Sequence, residues 1–446
     1  MNEIESIFGT DGIRGKTNEY PMTADVAMKL AAILGNKIIK KSDPHSLKRV
    51  IIGKDTRKSC YLFEAAMESG FAASGIDVIL TGPIPTPAVS ILTKSLRADM
   101  GIMISASHNQ FEDNGIKIFD RHGLKLSDTK QNELDGLVRH SNISDFFCKS
   151  GETGRVSRLD DAVGRYIESI KSSFPSDLSL TGLKIALDVA NGAAYRIAPE
   201  IFRELGAEVF VFNNYPNGEN INKDCGSTYP DFISRKTVEH GCDIGLSLDG
   251  DADRIIICDE LGNIIDGDYI IAAIVTHYQN LNKLKGNKVI TTIMSNMGFE
   301  GYIKSRNLEL IRTNVGDRNV LYKMMEVGAN VGGEQSGHII LSDHSCTGDG
   351  ILSALQLLAF RAYNKLKTSD IGKLFVRYPQ IMRNIKHPDQ TKLANLEIQK
   401  FESELGRDGR ILIRKSGTEN VLRIMIEGIN SEVNHSVMEA ILKSLS

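Results

Sequence analysis

Cys242-Asp243-Ile244-Gly245-Leu246-Ser247-Leu248 runs into Asp249-Gly250-Asp251-Ala252-Asp253-Arg254 and leaves through Ile255-Ile256-Ile257. An apolar run, a polar loop with carboxylates on alternate residues and a second apolar run read as a buried strand, a loaded loop and another strand. Upstream, Lys184-Ile185-Ala186-Leu187-Asp188 reads as an opening strand with a turn at Asn191-Gly192. A helical segment closing at Gly206 then leads into Glu208-Val209-Phe210-Val211-Phe212. Strands alternating with helices require crossover connections and a mostly parallel sheet. In such sheets ligands gather at the carboxyl ends of strands, where this acidic loop falls.

The same order occurs twice more. Arg49-Val50-Ile51-Ile52-Gly53, a helical segment closing at Gly75 and Asp77-Val78-Ile79-Leu80 precede a strand over 99–104, which ends in Ser105-Ala106-Ser107-His108-Asn109. Lys288-Val289-Ile290 and Leu308-Glu309-Leu310-Ile311 precede Gly332-Gly333-Glu334-Gln335-Ser336-Gly337-His338. The tail differs: Arg410–Arg414 and Val421–Ile426 read as two strands joined by a polar turn, followed by a helical segment over 432–445. The expected fold is α/β: three similar α/β domains with mixed, mostly parallel sheets, plus a smaller C-terminal α+β domain, around a central cleft. The expected boundaries are 1–152, 153–255, 256–370 and 371–446.

Composition narrows the function. Of 446 residues 41% are hydrophobic and 24% charged, as in ordinary globular chains. A net charge of −3 argues against a broad basic surface for nucleic acid. No apolar stretch of about 18 residues predicts a membrane span, and the acidic N-terminus lacks a signal-peptide pattern. The six cysteines contain no C-x-x-C pair and read as reduced thiols. These features fit a cytoplasmic protein.

Several loops could carry chemistry. Three hard oxygen donors in Asp249, Asp251 and Asp253 suit Mg²⁺ or Ca²⁺, and a solvated acidic turn is the competing reading. An EF-hand fails because Arg254 stands where the sixth position needs glycine. Ser107 beside His108 offers a hydroxyl nucleophile, but the G-x-S-x-G elbow of a hydrolase is absent and a capping serine is the plainer reading. Together with the acidic loop, it suggests a metal holding an oxygen of a phosphorylated serine. Glycines around Arg14 in Phe8–Gly15, and Arg414-Lys415-Ser416-Gly417-Thr418, have the composition of phosphate cradles, though ordinary turns share it. Glu334, Ser336 and His338 suit sugar hydroxyls. One nucleophile loop, one metal loop, one sugar-type loop and one phosphate loop suggest a phosphosugar enzyme.

With these motifs the chain resembles the α-D-phosphohexomutase superfamily over essentially its whole length. Also carrying the likeness are Gly82–Ala88, Asp113–Lys117, Met294–Gly298, Val315–Arg318 and Thr347–Gly350; the forms at 315–318 and 414–418 are similar to the glucosamine branch. The resemblance implies that Ser107 carries the phosphoryl group and that Asp249, Asp251 and Asp253 hold one Mg²⁺ with an oxygen on Ser107. It implies that Arg14, His108, Lys117 and Arg254 surround the transferring group, with Lys117 or His338 as general base. Glu334, Ser336 and His338 would meet the sugar, and Arg414, Ser416, Gly417 and Thr418 the other phosphate. The implied reaction interconverts glucosamine 6-phosphate and glucosamine 1-phosphate through a glucosamine 1,6-bisphosphate intermediate, towards UDP-N-acetylglucosamine. Glucose and mannose phosphates are the rival substrates, and a non-catalytic sugar-phosphate sensor the rival class. A small-molecule phosphosugar is the expected partner, with no nucleic acid or membrane; a homodimer is left open. The family pattern is broken at Ala252 (usually Gly), Gln110 (usually Pro) and Asn420 (usually Pro). A backbone with φ > 0 at 252 would make alanine costly.

Overall fold

The computed structural model describes residues 6–9, 11–39, 47–386, 393, 396, 398–406, 408–415 and 421–445. The chain forms two compact units, one of residues 1–293 and 311–372, the other of 294–310 and 373–446.

Three sheets repeat one plan. In the first, β1 (Phe8–Gly9), β2 (Gly12–Lys16), β3 (Arg49–Lys54), β4 (Asp77–Pro83), β5 (Met100–Ile104), β6 (Asp113–Asp120) and β7 (Val156–Arg158) take the order β1-β2-β6-β5-β3-β4-β7. The second contains β8 (Lys184–Asp188), β9 (Glu208–Phe212), β10 (Ile244–Leu248), β11 (Ile255–Asp259) and β12 (Ile264–Ile265), ordered β12-β11-β10-β8-β9. The third orders β13 (Lys288–Thr292), β14 (Glu309–Thr313), β15 (Val331–Gly333) and β16 (Ile339–Leu341) as β14-β13-β15-β16. In each sheet the repeat's first strand lies between its second and third. Its third strand runs parallel to the first and pairs antiparallel with a fourth (β6, β11 or β16).

The central strands are buried along their length, as their near-continuous Ile, Val and Leu content requires. Gly75 (φ 78°) and Gly206 (φ 100°) are left-handed just beyond helices Ser59–Ala73 and Ile197–Glu204, the stop signal read from the sequence. In each repeat the loop after the third strand leads into an antiparallel return. The serine and acidic loops and the 334–338 segment therefore occupy equivalent positions.

In the second unit β17 (Gln380–Lys386), β18 (Gly409–Lys415) and β19 (Val421–Gly428) form an antiparallel sheet ordered β17-β19-β18. Helix Ser431–Leu445 buries Val437, Met438 and Ile441 in this unit's apolar core. The expected strand pair is present, and β17 adds a third strand that the sequence reading lacked. Among the described residues no helix is long and apolar enough to cross a membrane, and all six cysteines are free.

Candidate active site

Ser107 stands in the loop after β5 with φ 52°, a backbone region that non-glycine residues rarely adopt. Its N–H donates to Ser105 Oγ at 2.9 Å, and Ser105 Oγ donates to Asp55 Oδ2 at 2.6 Å. Its own hydroxyl donates to Asp249 Oδ2 at 2.5 Å, across 142 residues of sequence. His108 Nδ1 lies 3.4 Å from Ser107 Oγ. Burial pushes the His108 imidazole down to about 4, with the Arg254 and Arg14 charges adding to the shift. The ring is neutral at neutral pH.

The acidic loop is a tight connection between antiparallel β10 and β11, with Leu248 paired to Ile255. Asp249, Asp251 and Asp253 are buried, and a donor oxygen from each lies within 4.8 Å of the others. Among the described residues Asp251 Oδ1 and Asp253 Oδ1 have no hydrogen-bond partner. Three carboxylates packed together away from water require positive charge. Lys117, buried on β6, supplies some of it: Nζ is 2.7 Å from Asp251 Oδ2, 2.9 Å from Asp253 Oδ2 and 3.2 Å from Asp11 Oδ2. Burial disfavours its charge, but Asp11, Asp251 and Asp253 outweigh burial and raise its pKa. In this geometry the three carboxylates favour the charged ammonium. Burial, Asp253 and Asp251 push Asp249 up, so one cation does not satisfy the group. Hard oxygen donors with unpartnered atoms fit a divalent ion such as Mg²⁺.

The remaining site residues join this centre within the first unit. The Arg254 N–H donates to Asp249 Oδ1 at 3.1 Å, and Arg14 Nη2 donates to Asp11 Oδ2 at 3.0 Å. Glu334 accepts from the Gly316 N–H at 3.1 Å and from Ser336 Oγ at 3.2 Å. The Gly348 N–H donates to His338 Nε2 at 3.0 Å, while Nδ1 lies 3.6 Å from Asp253 Oδ1. Against burial, Asp253 and Asp317 raise the His338 pKa. The hydrogen bond at Nε2 nevertheless requires a lone pair there, so in this geometry the ring is neutral with its proton on Nδ1.

Sequence reasoning missed Asp11, Lys125, Asp317 and Thr86. Lys125 bridges Asp11 and Asp317, and Thr86 donates to Asp251 Oδ2. Asp11, Asp317 and Thr86 sit inside motifs already quoted; Lys125 carries no such signal. Arg414 belongs to the second unit, on β18 opposite Arg423, where burial and that neighbour lower its pKa. Ser416, Gly417 and Thr418 lie outside the described residues, as does Asn420.

A repeated α/β plan thus seats a serine on a buried carboxylate triad, and comparison with known proteins gives the family that shares it. Family models for phosphoglucomutase/phosphomannomutase match in four parts: α/β/α domain I over 5–142, II over 164–262, III over 266–378 and the C-terminal domain over 367–444. The chain is 48% identical over 439 residues to a phosphoglucosamine mutase of Phenylobacterium zucineum, covering 98% of this chain and 97% of that one. A phosphoglucosamine mutase of Brucella ovis is 46% identical over 443 residues, with the same coverage. The chain therefore belongs to the α-D-phosphohexomutase superfamily of intramolecular phosphotransferases, among the phosphoglucosamine mutases. Its fold is shared with a phosphoglucomutase/phosphomannomutase family protein of Burkholderia thailandensis, at TM-score 0.82, 23% identity and coverage of 98% and 96%. It is also shared with Aspergillus fumigatus N-acetylphosphoglucosamine mutase in complex with GlcNAc-6P and magnesium, at TM-score 0.68, 16% identity and coverage of 98% and 95%.

Proposed function

We propose that this chain interconverts glucosamine 6-phosphate and glucosamine 1-phosphate, with Ser107 as the phosphoryl carrier and glucosamine 1,6-bisphosphate as the intermediate. The observation that carries the reading is the Ser107 hydroxyl on Asp249, inside a buried triad with two oxygens that lack hydrogen-bond partners among the described residues. In the forward direction the P–Oγ bond of phospho-Ser107 breaks as a P–O bond to sugar O1 forms, and the O1 hydroxyl proton passes by way of the general base to the Ser107 oxygen, which is left as a hydroxyl. The bisphosphate turns end for end, its 6-phosphoryl group returns to Ser107, and glucosamine 1-phosphate leaves.

Asp249, Asp251 and Asp253 would hold Mg²⁺, whose charge neutralises phosphoryl oxygens at the serine. Arg14, Lys117 and Arg254 bring fixed positive charge to the transferring group, which spreads negative charge over its equatorial oxygens. His108, neutral and beside Ser107, adds a hydrogen-bonding group without further charge. Glu334, Ser336 and His338 meet the sugar, and Arg414 with Ser416, Gly417 and Thr418 takes the other phosphate. A division into four domains at 152/153, 255/256 and 370/371 assigns one such loop to each.

The test is a coupled assay with glucosamine, glucose and mannose 6-phosphates, combined with intact-mass analysis of the purified protein. Expected are preferential turnover of the glucosamine ester, a phosphate adduct on the peptide containing Ser107, and loss of both in folded Ser107→Ala. Retained turnover in that variant would refute the serine's role, and a preference for glucose or mannose phosphate would refute the substrate.

A further inference from the structure

Arg57 is wholly buried just beyond β3, and its side-chain hydrogen bonds go to Asp55 and to loop carbonyls rather than to a functional side chain of the described site. Its five N–H donors meet five acceptors. Nε donates to Asp55 Oδ2 at 2.8 Å, one Nη1 donor to the Gln110 carbonyl and the other to the Asp113 carbonyl at 3.2 Å. Nη2 donates to the Ser107 carbonyl at 3.0 Å and the Asn109 carbonyl at 2.9 Å. Asn222, from the second repeat and equally buried, grips the same two oxygens: Nδ2 lies 2.8 Å from Ser107 O and 2.9 Å from Asn109 O. Gln110 closes the ring by donating to the Asn222 carbonyl at 3.1 Å.

A loop that neither a helix nor a sheet satisfies must find other partners for its carbonyls. Here two side chains from separate repeats meet the same pair of oxygens, one immediately beside Ser107. A left-handed serine persists only where its surroundings over-determine it. The reach from Oγ to Asp249 is set by that backbone conformation, because the hydroxyl is a single bond from Cβ.

We infer that Arg57 and Asn222 are positioning residues for phosphoryl transfer: by holding the carbonyls of Ser107 and Asn109 they keep the Ser107 hydroxyl in register with the carboxylate triad. The inference rests on the proposed role of Ser107. It also gives Gln110 a purpose, since its side-chain amide ties the loop where a ring would otherwise stiffen it.

Asn222 has φ 56°, so Asn222→Gly keeps the backbone accessible and removes the whole buried side-chain amide, while Asn222→Asp keeps the shape and turns an acceptor towards two carbonyls. The experiment measures kcat and KM for glucosamine 6-phosphate, the rate at which glucosamine 1,6-bisphosphate phosphorylates Ser107, and Tm. Expected is a fall in kcat and in serine phosphorylation of roughly 10- to 100-fold, with KM within about twofold, in protein folded at the assay temperature. Arg57→Lys, which keeps the charge but not the fork, should fall by a similar factor. Because Arg57 variants can fail to fold, the Asn222 pair decides. Wild-type kcat in both folded Asn222 variants, or a loss confined to KM, would overturn the inference. Wild-type protein that neither takes phosphate on Ser107 nor turns over a phosphosugar would sink the proposed function instead.

Discussion

Gly250 lies between the first two carboxylates of the triad, and a methyl group there tests whether the serine and acidic loops work as one body. A Cβ added at 250 would stand 2.6 Å from the Ser107 carbonyl oxygen and 2.8 Å from Asn222 Nδ2. Ordinary C···O contact is about 3.3 Å or more, so the gap must open by about 0.7 Å. The loop cannot back away, because the Gly250 carbonyl accepts from the Ala193 N–H at 2.8 Å and Gly192 packs against it. Gly250 is not among the left-handed glycines, so alanine meets crowding rather than backbone strain. The displacement therefore falls on the Ser107 carbonyl and its 2.5 Å hydroxyl contact with Asp249. A misplacement approaching 1 Å costs about 100-fold in rate, and overpacking typically destabilises by about 1–3 kcal/mol. Gly250→Ala should accordingly lower kcat roughly 30- to 100-fold while the protein stays folded. Coupled turnover of glucosamine 6-phosphate together with thermal unfolding measures both. Gly164→Ala is the control: nothing lies within 4 Å of a Cβ there, in helix Ala162–Lys171, and turnover should not change. Near-wild-type kcat in stable Gly250→Ala protein would refute the argument that the two loops are sterically coupled.

Two further outcomes are expected. Mg²⁺ at 100 times its dissociation constant should stabilise the wild-type protein by about 2.7 kcal/mol, seen as a rise in Tm that Asp251→Asn abolishes; no rise in the wild type would refute the triad as the ion's site. His277 is buried beside Phe360 and Tyr363, and burial followed by Lys283 pushes its imidazole down to about 4. The unfolded chain, with an imidazole pKa of about 6.5, then binds more protons between these values, so stability declines as pH falls through that window. His277→Phe should remove roughly 2 kcal/mol of the decline at pH 5, measured by urea unfolding at pH 7 and 5; an unchanged slope would refute this.

The three-fold plan was legible because its signals are local: apolar runs for strands, a left-handed glycine after a helix and a polar loop after each third strand. The carboxylate triad was legible for the same reason, all three aspartates falling within five residues. The rest depended on long-range pairing. Lys125 meets Asp317 across 192 residues, and no periodicity marks either for the other. Arg57 is charged and wholly buried, a combination a sequence pattern cannot separate from a surface arginine. The prediction for Ala252 was half complete. Its φ of 56° is the left-handed value expected to be costly, but its methyl group is also fully buried. A left-handed alanine costs about 1–2 kcal/mol and burying its methyl returns about 0.8 kcal/mol. Burial therefore offsets part of the cost of the departure from glycine, and alanine at a positive φ remains a net cost.

The same long-range pairing decides the electrostatics. Asp11, Asp249, Asp251, Asp253, Asp317 and Glu334 face Arg14, Lys117, Lys125 and Arg254, with His108 neutral and His338 neutral in this geometry. Carboxylates outnumber cations in this group, an excess of negative charge that a divalent ion would reduce. Asp249 registers the excess: burial first, then Asp253 and Asp251, push it up, whereas at Asp253 the Lys117 charge outweighs burial and holds the carboxyl well below the usual range. A phosphoryl group on Ser107 would add close to two further negative charges at neutral pH, directly against the Asp249 carboxylate that burial and its acidic neighbours already disfavour. Under the proposed function, metal and phosphoserine thus favour one another, each reducing the cost of placing the other in a buried acidic pocket. Chelation should then destabilise the phosphorylated enzyme more than the dephosphorylated one. This coupling belongs to the folded site, because a net charge of −3 over 446 residues averages it away.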